Sequence, residues 1–380
     1  MREATGRHSL AVVYDAPGML TRDLRRALGL CLGLLVAGCG GSAKTSGTLT
    51  SPVSGEARSA GGFEGLSALI VSPVEPAVPF RASDGRYIVT YELRVQNPTP
   101  LTLVLSRVSV STAGGDVIEK LDRAQVAAAL ALPGARSGVA ALQEGQLATL
   151  YLTLAFKDRA KIPDRLLPRI TVTAARLRGG RAASSPATVR VLNAFAVPVL
   201  GPPLAPGRRF VAADSCCSSE RHRRALLPIG NRLWLAQRFA VDWEQIDASG
   251  RFVRRGGDPA KSADYTIYGA RAIAAGDATI IHVVDGLPAQ RPGRLPAGLL
   301  PHETDGNSIV ARLDDGLYML YGHLQAGSIK VKVGEKVKRG ALLGLVGNSG
   351  NTSAPHLHFH VMDGPSPLSS EGVPYVIDAF

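Results

Sequence analysis

Three histidines alternate with apolar residues near the end of the chain. The segment from Ser353 to His360 reads Ser-Ala-Pro-His-Leu-His-Phe-His, with His356, His358 and His360 at alternate positions. Because alternate side chains of a strand share a face, these imidazoles should point the same way. Imidazole binds zinc well, and catalytic zinc sites use three protein ligands and leave a fourth position open. The spacing therefore predicts a metal site, against the alternative of three histidines that only decorate a strand.

Several short motifs precede these histidines in a fixed order. The chain has a strand and turn over residues 268–278, Gly-Asn-Ser-Ile-Val from Gly306, Tyr-Gly-His-Leu from Tyr321, and glycine-punctuated hairpins over residues 333–340 and 343–347. Together with His-Leu-His-Phe-His, this series resembles the lysostaphin-type (LytM) zinc metallopeptidase family over roughly residues 208–380. The resemblance implies a LytM-type antiparallel β-core, built as a duplicated hybrid motif, that acts on peptide cross-links in peptidoglycan.

The same resemblance implies roles for four residues. In the family, the two ends of a His-x-x-x-Asp motif and the second histidine of His-x-His bind the metal, which implies Asp242 and His358 as Zn²⁺ ligands here. The first histidine of His-x-His and the histidine of Tyr-x-His-Leu act on the water and the oxyanion. Carried to this sequence, His356 and His323 are the implied catalytic pair.

One position departs from the family pattern. Arg238 stands where the first metal-binding histidine belongs, four residues before Asp242. A guanidinium is always charged and has no lone pair to give to a metal ion. Two protein ligands alone would hold zinc poorly. Arg238 could instead pair with Asp242, so that a salt bridge would replace the metal.

Four residues are candidates to complete the site in place of the missing histidine. They are His222, Cys216, Cys217 and His360, the last of which stands where the family usually has glutamate. None lies at the family's spacing, and cysteine would have to bind as the thiolate. Adjacent cysteines form a disulfide only with strain, so the sequence predicts no disulfide framework. The pair could equally be a reactive dithiol or two ordinary small residues.

The start of the chain has the pattern of an export signal. Three arginines at positions 22, 25 and 26 precede an apolar run over residues 27–36, which is too short to span a bilayer. The run ends in Leu-Val-Ala-Gly-Cys, which resembles the bacterial lipobox and predicts a lipidated Cys39. We therefore expect a signal peptide over residues 1–39 and a lipid anchor in the cell envelope, on the outer membrane or the periplasmic side. The alternative is a plain secretory signal in which Cys39 is incidental.

The remainder of the chain divides by composition. Residues 40–62 are rich in Gly, Ser, Thr and Ala and predict a flexible tether. Residues 63–195 contain four runs of alternating apolar residues and a short helix near positions 122–130, which together predict an Ig-like β-sandwich with a spacer or binding role. Residues 196–209 are Pro-rich and predict a stiff linker to the LytM-type domain over residues 210–380. The predicted fold class is mainly β.

Two functions follow as hypotheses. The net charge of +12 favours anionic partners such as cell-wall polymer, and the absence of basic blocks with interleaved aromatics argues against nucleic acid. The first hypothesis is a zinc endopeptidase that cuts peptidoglycan cross-links. The second is a pseudoenzyme, a non-catalytic LytM module that binds peptidoglycan or activates a partner hydrolase, as Arg238 suggests. A Pro-rich insert over residues 287–301 either walls the substrate groove or is a tolerated surface loop.

Overall fold

The computed structural model describes residues 67–132, 138–174, 182–207, 209–217 and 221–378. The predicted signal peptide, Cys39 and the tether lie outside these residues and stay predictions. Among the residues described, none belongs to a helix long and apolar enough to cross a bilayer.

The first half of the described chain consists of two antiparallel sheets. Its elements are β1 (Ile70–Pro73), β2 (Phe80–Arg81), β3 (Tyr87–Gln96), β4 (Leu103–Ser111), β5 (Val117–Leu121), α1 (Arg123–Ala129), β6 (Leu130–Ala131), β7 (Ala141–Leu142), β8 (Leu147–Phe156), a 3-10 turn (Arg159–Lys161), β9 (Arg165–Ala174), β10 (Ala183–Pro186) and β11 (Val189–Arg190). One sheet has the order β1-β3-β8-β6 with β2 beside β3, and the other has the order β10-β9-β4-β5 with β7 and β11 at its margins.

The alternating runs in the sequence explain how these sheets pack. Apolar residues at every second position of β3, β4, β8 and β9 form one continuous core between the sheets. The predicted strands and short helix are confirmed, and α1 starts at a capping box formed by Asp122 and Gln125. The Ig-like assignment of this two-sheet unit stays a prediction.

The second half is built around an eight-stranded sheet. Its elements are β12 (Val199–Leu200), β13 (Phe210–Ala213), β14 (Leu227–Ile229), β15 (Arg232–Trp234), β16 (Val241–Gln245), a 3-10 turn (Ser262–Asp264), β17 (Arg271–Ile273), β18 (Ala278–Val284), a 3-10 turn (Pro301–Glu303), β19 (Asn307–Leu313), β20 (Tyr318–Leu324), β21 (Lys336–Val337), β22 (Leu342–Leu345), β23 (Leu357–Met362), β24 (Gly372–Val373) and β25 (Val376–Ile377). The main sheet has the order β13-β16-β23-β20-β19-β18-β21, with β24 beside β23.

The Pro-rich segment predicted as a linker packs into this second half. Leu200 and Leu204 are buried in its apolar core, and β12 pairs in parallel with β25. The two halves belong to a single compact unit by their contacts, so the boundary over residues 196–209 stays a prediction. The mainly β fold class is confirmed.

Candidate metal centre

Three neighbouring strands bring the predicted site residues together. In the sheet, β16 pairs with β23, and β23 pairs with β20. Asp242 lies directly opposite His358 in the register of β16 and β23, and Gly322 lies opposite His358 on the other side. The pairing of the strands therefore places His358 beside the carboxylate. His323 follows Gly322 on β20 with a positive φ of 63°, and its ring centroid lies 5.7 Å from that of His358.

The carboxylate of Asp242 lies at the centre of an imidazole cluster. Its Oδ1 atom is 2.9 Å from Nδ1 of His358, 3.3 Å from Nε2 of His356 and 3.3 Å from Nε2 of His222. His356 and His358 therefore lie on the same side of the strand, as the alternation predicts. Of the four candidates to replace the missing histidine, His222 is the one whose side chain reaches Asp242.

Backbone carbonyl groups set the tautomers of three of these rings. In each ring, Nδ1 is within hydrogen-bond distance of a carbonyl oxygen and therefore carries a proton, so Nε2 has a lone pair whenever the ring is neutral. The pairs are His222 with Asp214 at 2.9 Å, His323 with Ser349 at 2.7 Å and His356 with Ala354 at 2.8 Å. Nε2 of His222 and of His356 therefore faces the carboxylate as a potential ligand or base.

The fourth ring is oriented by another histidine. Nε2 of His358 lies 3.0 Å from Nδ1 of His360, and both rings are buried. When Nε2 of His358 donates to His360, the lone pair of Nδ1 points toward Asp242. His360 thus lies on the side of His358 away from Asp242. Among the described residues, two groups of side chains have donor atoms close enough to share an ion, and His360 belongs to neither of them. Its predicted role as a substitute ligand is not supported by this placement, and it orients His358 instead.

The pKa values of the site reflect burial and the charge of Asp242. Burial alone raises the pKa of Asp242, but the charge of His356 and hydrogen bonds from the surrounding imidazoles hold it well below its usual range. Burial lowers the pKa of His323 well below its ordinary value and also lowers the pKa of His358. For His356, burial acts to lower the pKa, but Asp242 outweighs it and the net shift is upward. The carboxylate is therefore ionised at neutral pH, with neutral His323 and His358 beside it.

The donor atoms fit a zinc ion. His222, Asp242 and His358 form one group whose ligand atoms all lie within 4.8 Å of one another, and His323, His356 and His358 form a second. Ligand atoms about 2 Å from a tetrahedral ion are about 3.3 Å apart, and the observed separations from Asp242 Oδ1 are 2.9 and 3.3 Å. Two imidazoles and a carboxylate are also a common donor set for catalytic zinc.

The predicted pairing of Arg238 with Asp242 is wrong. The Arg238 guanidinium is buried and donates from Nε to Oε2 of Glu92 at 2.9 Å, and its Nη2 atom lies 3.2 Å from Oε2 of Glu371. Glu92 lies on β3 in the first half of the chain. Arg238 is therefore paired with two carboxyl groups away from the imidazole cluster. Asp242 contacts three imidazoles instead. Among the described residues, it makes no contact with this guanidinium.

The cysteine candidates are corrected in the same way. Cys216 and Cys217 form a disulfide with each other, whereas the sequence alone left a reactive dithiol, metal ligands or two ordinary small residues as the alternatives. A sulfur atom in a disulfide is not a thiolate, so neither cysteine offers a metal ligand in this state.

The Pro-rich insert is attached beside the histidine strand. The backbone N–H of Gln290 donates to the carbonyl of Asn348 at 2.6 Å, and that of Gly293 donates to Ser353 at 2.8 Å. The loop that it contacts leads directly into His356. The insert is thus fixed to one side of the site, as a groove wall would be.

Comparisons with known proteins match part of the second half to a known family. The model of peptidase family M23 matches residues 266–370, which is narrower than the predicted 208–380 and starts after both His222 and Asp242. The peptidoglycan DD-endopeptidase ShyA of Vibrio cholerae is 36% identical over 69 residues, which are 18% of this chain and 16% of that protein. This chain therefore spans about a sixth of the length of that relative.

Two solved structures also overlap with the chain. The catalytic domain of lysostaphin from Staphylococcus simulans is 22% identical, with 38% of this chain and 80% of that chain covered and a TM-score of 0.23. The catalytic domain of the prophage-encoded M23 protein EnpA from Enterococcus faecalis is 29% identical, with 34% and 92% covered and a TM-score of 0.18. On the family match and the ordered motifs, residues 266–370 of this chain are a peptidase family M23 domain of the LytM type.

Proposed function

We propose that this chain is a zinc endopeptidase that cuts peptide cross-links in peptidoglycan, with the ion held by His222, Asp242 and His358. The observation that carries the proposal is the convergence of two imidazole nitrogens on one carboxylate oxygen, at 2.9 and 3.3 Å. His222 supplies the ligand that the sequence lacks at position 238. The relative named as a peptidoglycan DD-endopeptidase supports the substrate class.

The remaining two histidines are placed for proton transfer. Zinc, when bound, supplies the Lewis acidity that polarises a scissile carbonyl. His323 and His356 present Nε2 lone pairs beside the proposed ligands, because carbonyl groups hold their Nδ1 protons. One of them takes the proton from the attacking water, and the proton then goes to the amine nitrogen as the C–N bond breaks. Their rings lie 4.7 Å apart between centroids.

A non-catalytic module is the competing function. It was motivated by Arg238, which would have taken the place of the metal by pairing with Asp242. The guanidinium is engaged with Glu92 and Glu371 instead, so this motivation is weakened. A module that binds peptidoglycan or activates a partner hydrolase would remain the better account if the protein holds no zinc.

Zinc content is the first test of the proposal. The full chain, purified in detergent, should contain about one zinc per molecule, and His222→Ala should lose it because two protein ligands hold zinc poorly. His282→Ala, which removes an exposed histidine on β18, should keep the metal. Elemental analysis by mass spectrometry measures all three. Absence of zinc from the wild type would favour the non-catalytic module, whereas zinc retained in His222→Ala would assign the ion to other ligands.

The proton-transfer roles make a second prediction. His323→Ala and His356→Ala should each lower the rate of cross-link cleavage by about 10²- to 10⁴-fold while the zinc content stays that of the wild type. The assay follows release of soluble fragments from purified sacculi, with His282→Ala again as the control. Loss of zinc together with activity would instead make the altered histidine a ligand.

We also propose that the protein is exported and anchored to the envelope by lipid at Cys39. The support is the charged segment, short apolar run and lipobox-like sequence that end at this cysteine. Cys39→Ser should move the protein from the membrane fraction to the soluble fraction of the cell and remove its labelling by a clickable fatty acid. Unchanged membrane association without label would indicate that Cys39 is incidental.

A further inference from the structure

The outer face of the first half's β3–β8 sheet is buried at one point. Glu92 on β3 is only 1% exposed, although its neighbours Tyr91 and Leu93 already fill the core on the opposite face. A buried carboxylate is costly unless charged partners satisfy it. Its partners are two buried arginines from the second half, with Arg223 Nε 3.0 Å from Oε1 and Arg238 Nε 2.9 Å from Oε2.

Arg223 makes most of its hydrogen bonds with the two-sheet unit, and one further bond from Nη1 goes to the carbonyl oxygen of Cys217 at 3.1 Å. Besides Glu92, it donates to Oγ1 of Thr153 at 2.7 Å and to the carbonyl oxygens of Tyr91 and Leu152 at 3.2 and 2.7 Å. The side chain is 5% exposed. The next residue, Arg224, adds a hydrogen bond to the carbonyl oxygen of Ala128 at 2.6 Å. Residues 223–224 are therefore fixed to β3, β8 and the end of α1.

The residue immediately before Arg223 is His222, the proposed substitute ligand. His222 lies between β13 and β14, in a segment that is neither helix nor strand, so no sheet register sets its position. Its ring is held by the carbonyl of Asp214 at 2.9 Å and faces Asp242 at 3.3 Å. A ligand on such a segment needs external support to keep its geometry. The adjacent Arg223 supplies that support from the two-sheet unit.

Arg238 connects the missing ligand to the same network. It occupies the position of the absent histidine and takes the second oxygen of Glu92, while Glu371 and the carbonyl of Gly372 complete its contacts. The carboxylate of Glu92 thus contacts both Arg238, which stands at the position of the family's histidine ligand, and Arg223. Arg223 directly follows His222, the proposed substitute ligand.

We propose that Glu92 is a positioning residue for the metal centre, which acts through Arg223 to place His222 against Asp242. This inference rests on the proposed function, since it assumes that His222 binds the ion. If Glu92 has this role, the two-sheet unit helps to position a ligand of the metal site in the neighbouring M23 domain.

The test is zinc affinity, measured on the full chain by competition with a chromophoric chelator. Glu92→Gln keeps the size of the side chain and removes its charge, and should weaken zinc binding by about 10- to 100-fold, as loss of groups that orient ligands does. Thr153→Val removes one hydrogen bond to Arg223 without changing any charge and should weaken binding by a smaller factor. Asp378→Asn is the matched control, because it removes the carboxylate partner of a different arginine, Arg339, and should leave the affinity unchanged.

Two further readouts separate positioning from simple stabilisation. The visible spectrum of the cobalt(II)-loaded protein reports ligand geometry and should change in Glu92→Gln and Thr153→Val. Thermal unfolding of the metal-free proteins reports the fold. Lower unfolding temperatures with wild-type affinity and spectrum would show a merely structural role and overturn the inference. If Glu92→Gln does not fold, unchanged affinity and spectrum in Thr153→Val overturn it.

The failures of the two proposals are distinguishable. A wild type that binds no zinc removes the proposed function and this inference together. Zinc that depends on His222 but not on Glu92 or Thr153 overturns this inference alone and leaves the endopeptidase proposal standing.

Discussion

The structure of the site depends on one carboxylate oxygen that is shared by three imidazoles. Asp242 is held opposite His358 by the pairing of β16 with β23, and the same oxygen faces His356 and His222 at 3.3 Å. Lone pairs that converge in a buried place repel one another unless a proton or a cation lies between them. The second half of the molecule therefore presents a set of donor atoms that could bind a metal ion, and the main sheet positions Asp242 and His358 within it.

Arg238, which stands where the family has a histidine ligand, pairs with glutamates outside the imidazole cluster. A buried guanidinium beside a zinc site would repel the ion, and a buried charge without a partner is strongly destabilising. Glu92 and Glu371 take up Arg238, and Glu92 also takes up Arg223 beside His222. These ion pairs direct the Arg238 guanidinium away from the imidazole cluster. Through Glu92, the first half of the chain also contacts Arg223, the residue next to His222.

The sequence predicts the parts of this site that follow from strand periodicity. The alternation of His356, His358 and His360 shows a shared face, and period-two runs correctly predict the long strands of the first half. The position of His222 is not predictable in this way, because it depends on Arg223 meeting Glu92, which is 131 residues away. The direction of Arg238 likewise depends on a residue 146 positions away. Pairing between distant polar groups leaves no periodic signal in either segment.

The most direct test of the account is to locate the ion. Crystals of the zinc-loaded full chain in detergent, measured on both sides of the zinc absorption edge, would show it by anomalous scattering. We predict one ion at about 2.0–2.2 Å from Nε2 of His222, Oδ1 of Asp242 and Nδ1 of His358. An ion bound by His323, His356 and His358 without His222, or no ion at all, would contradict it.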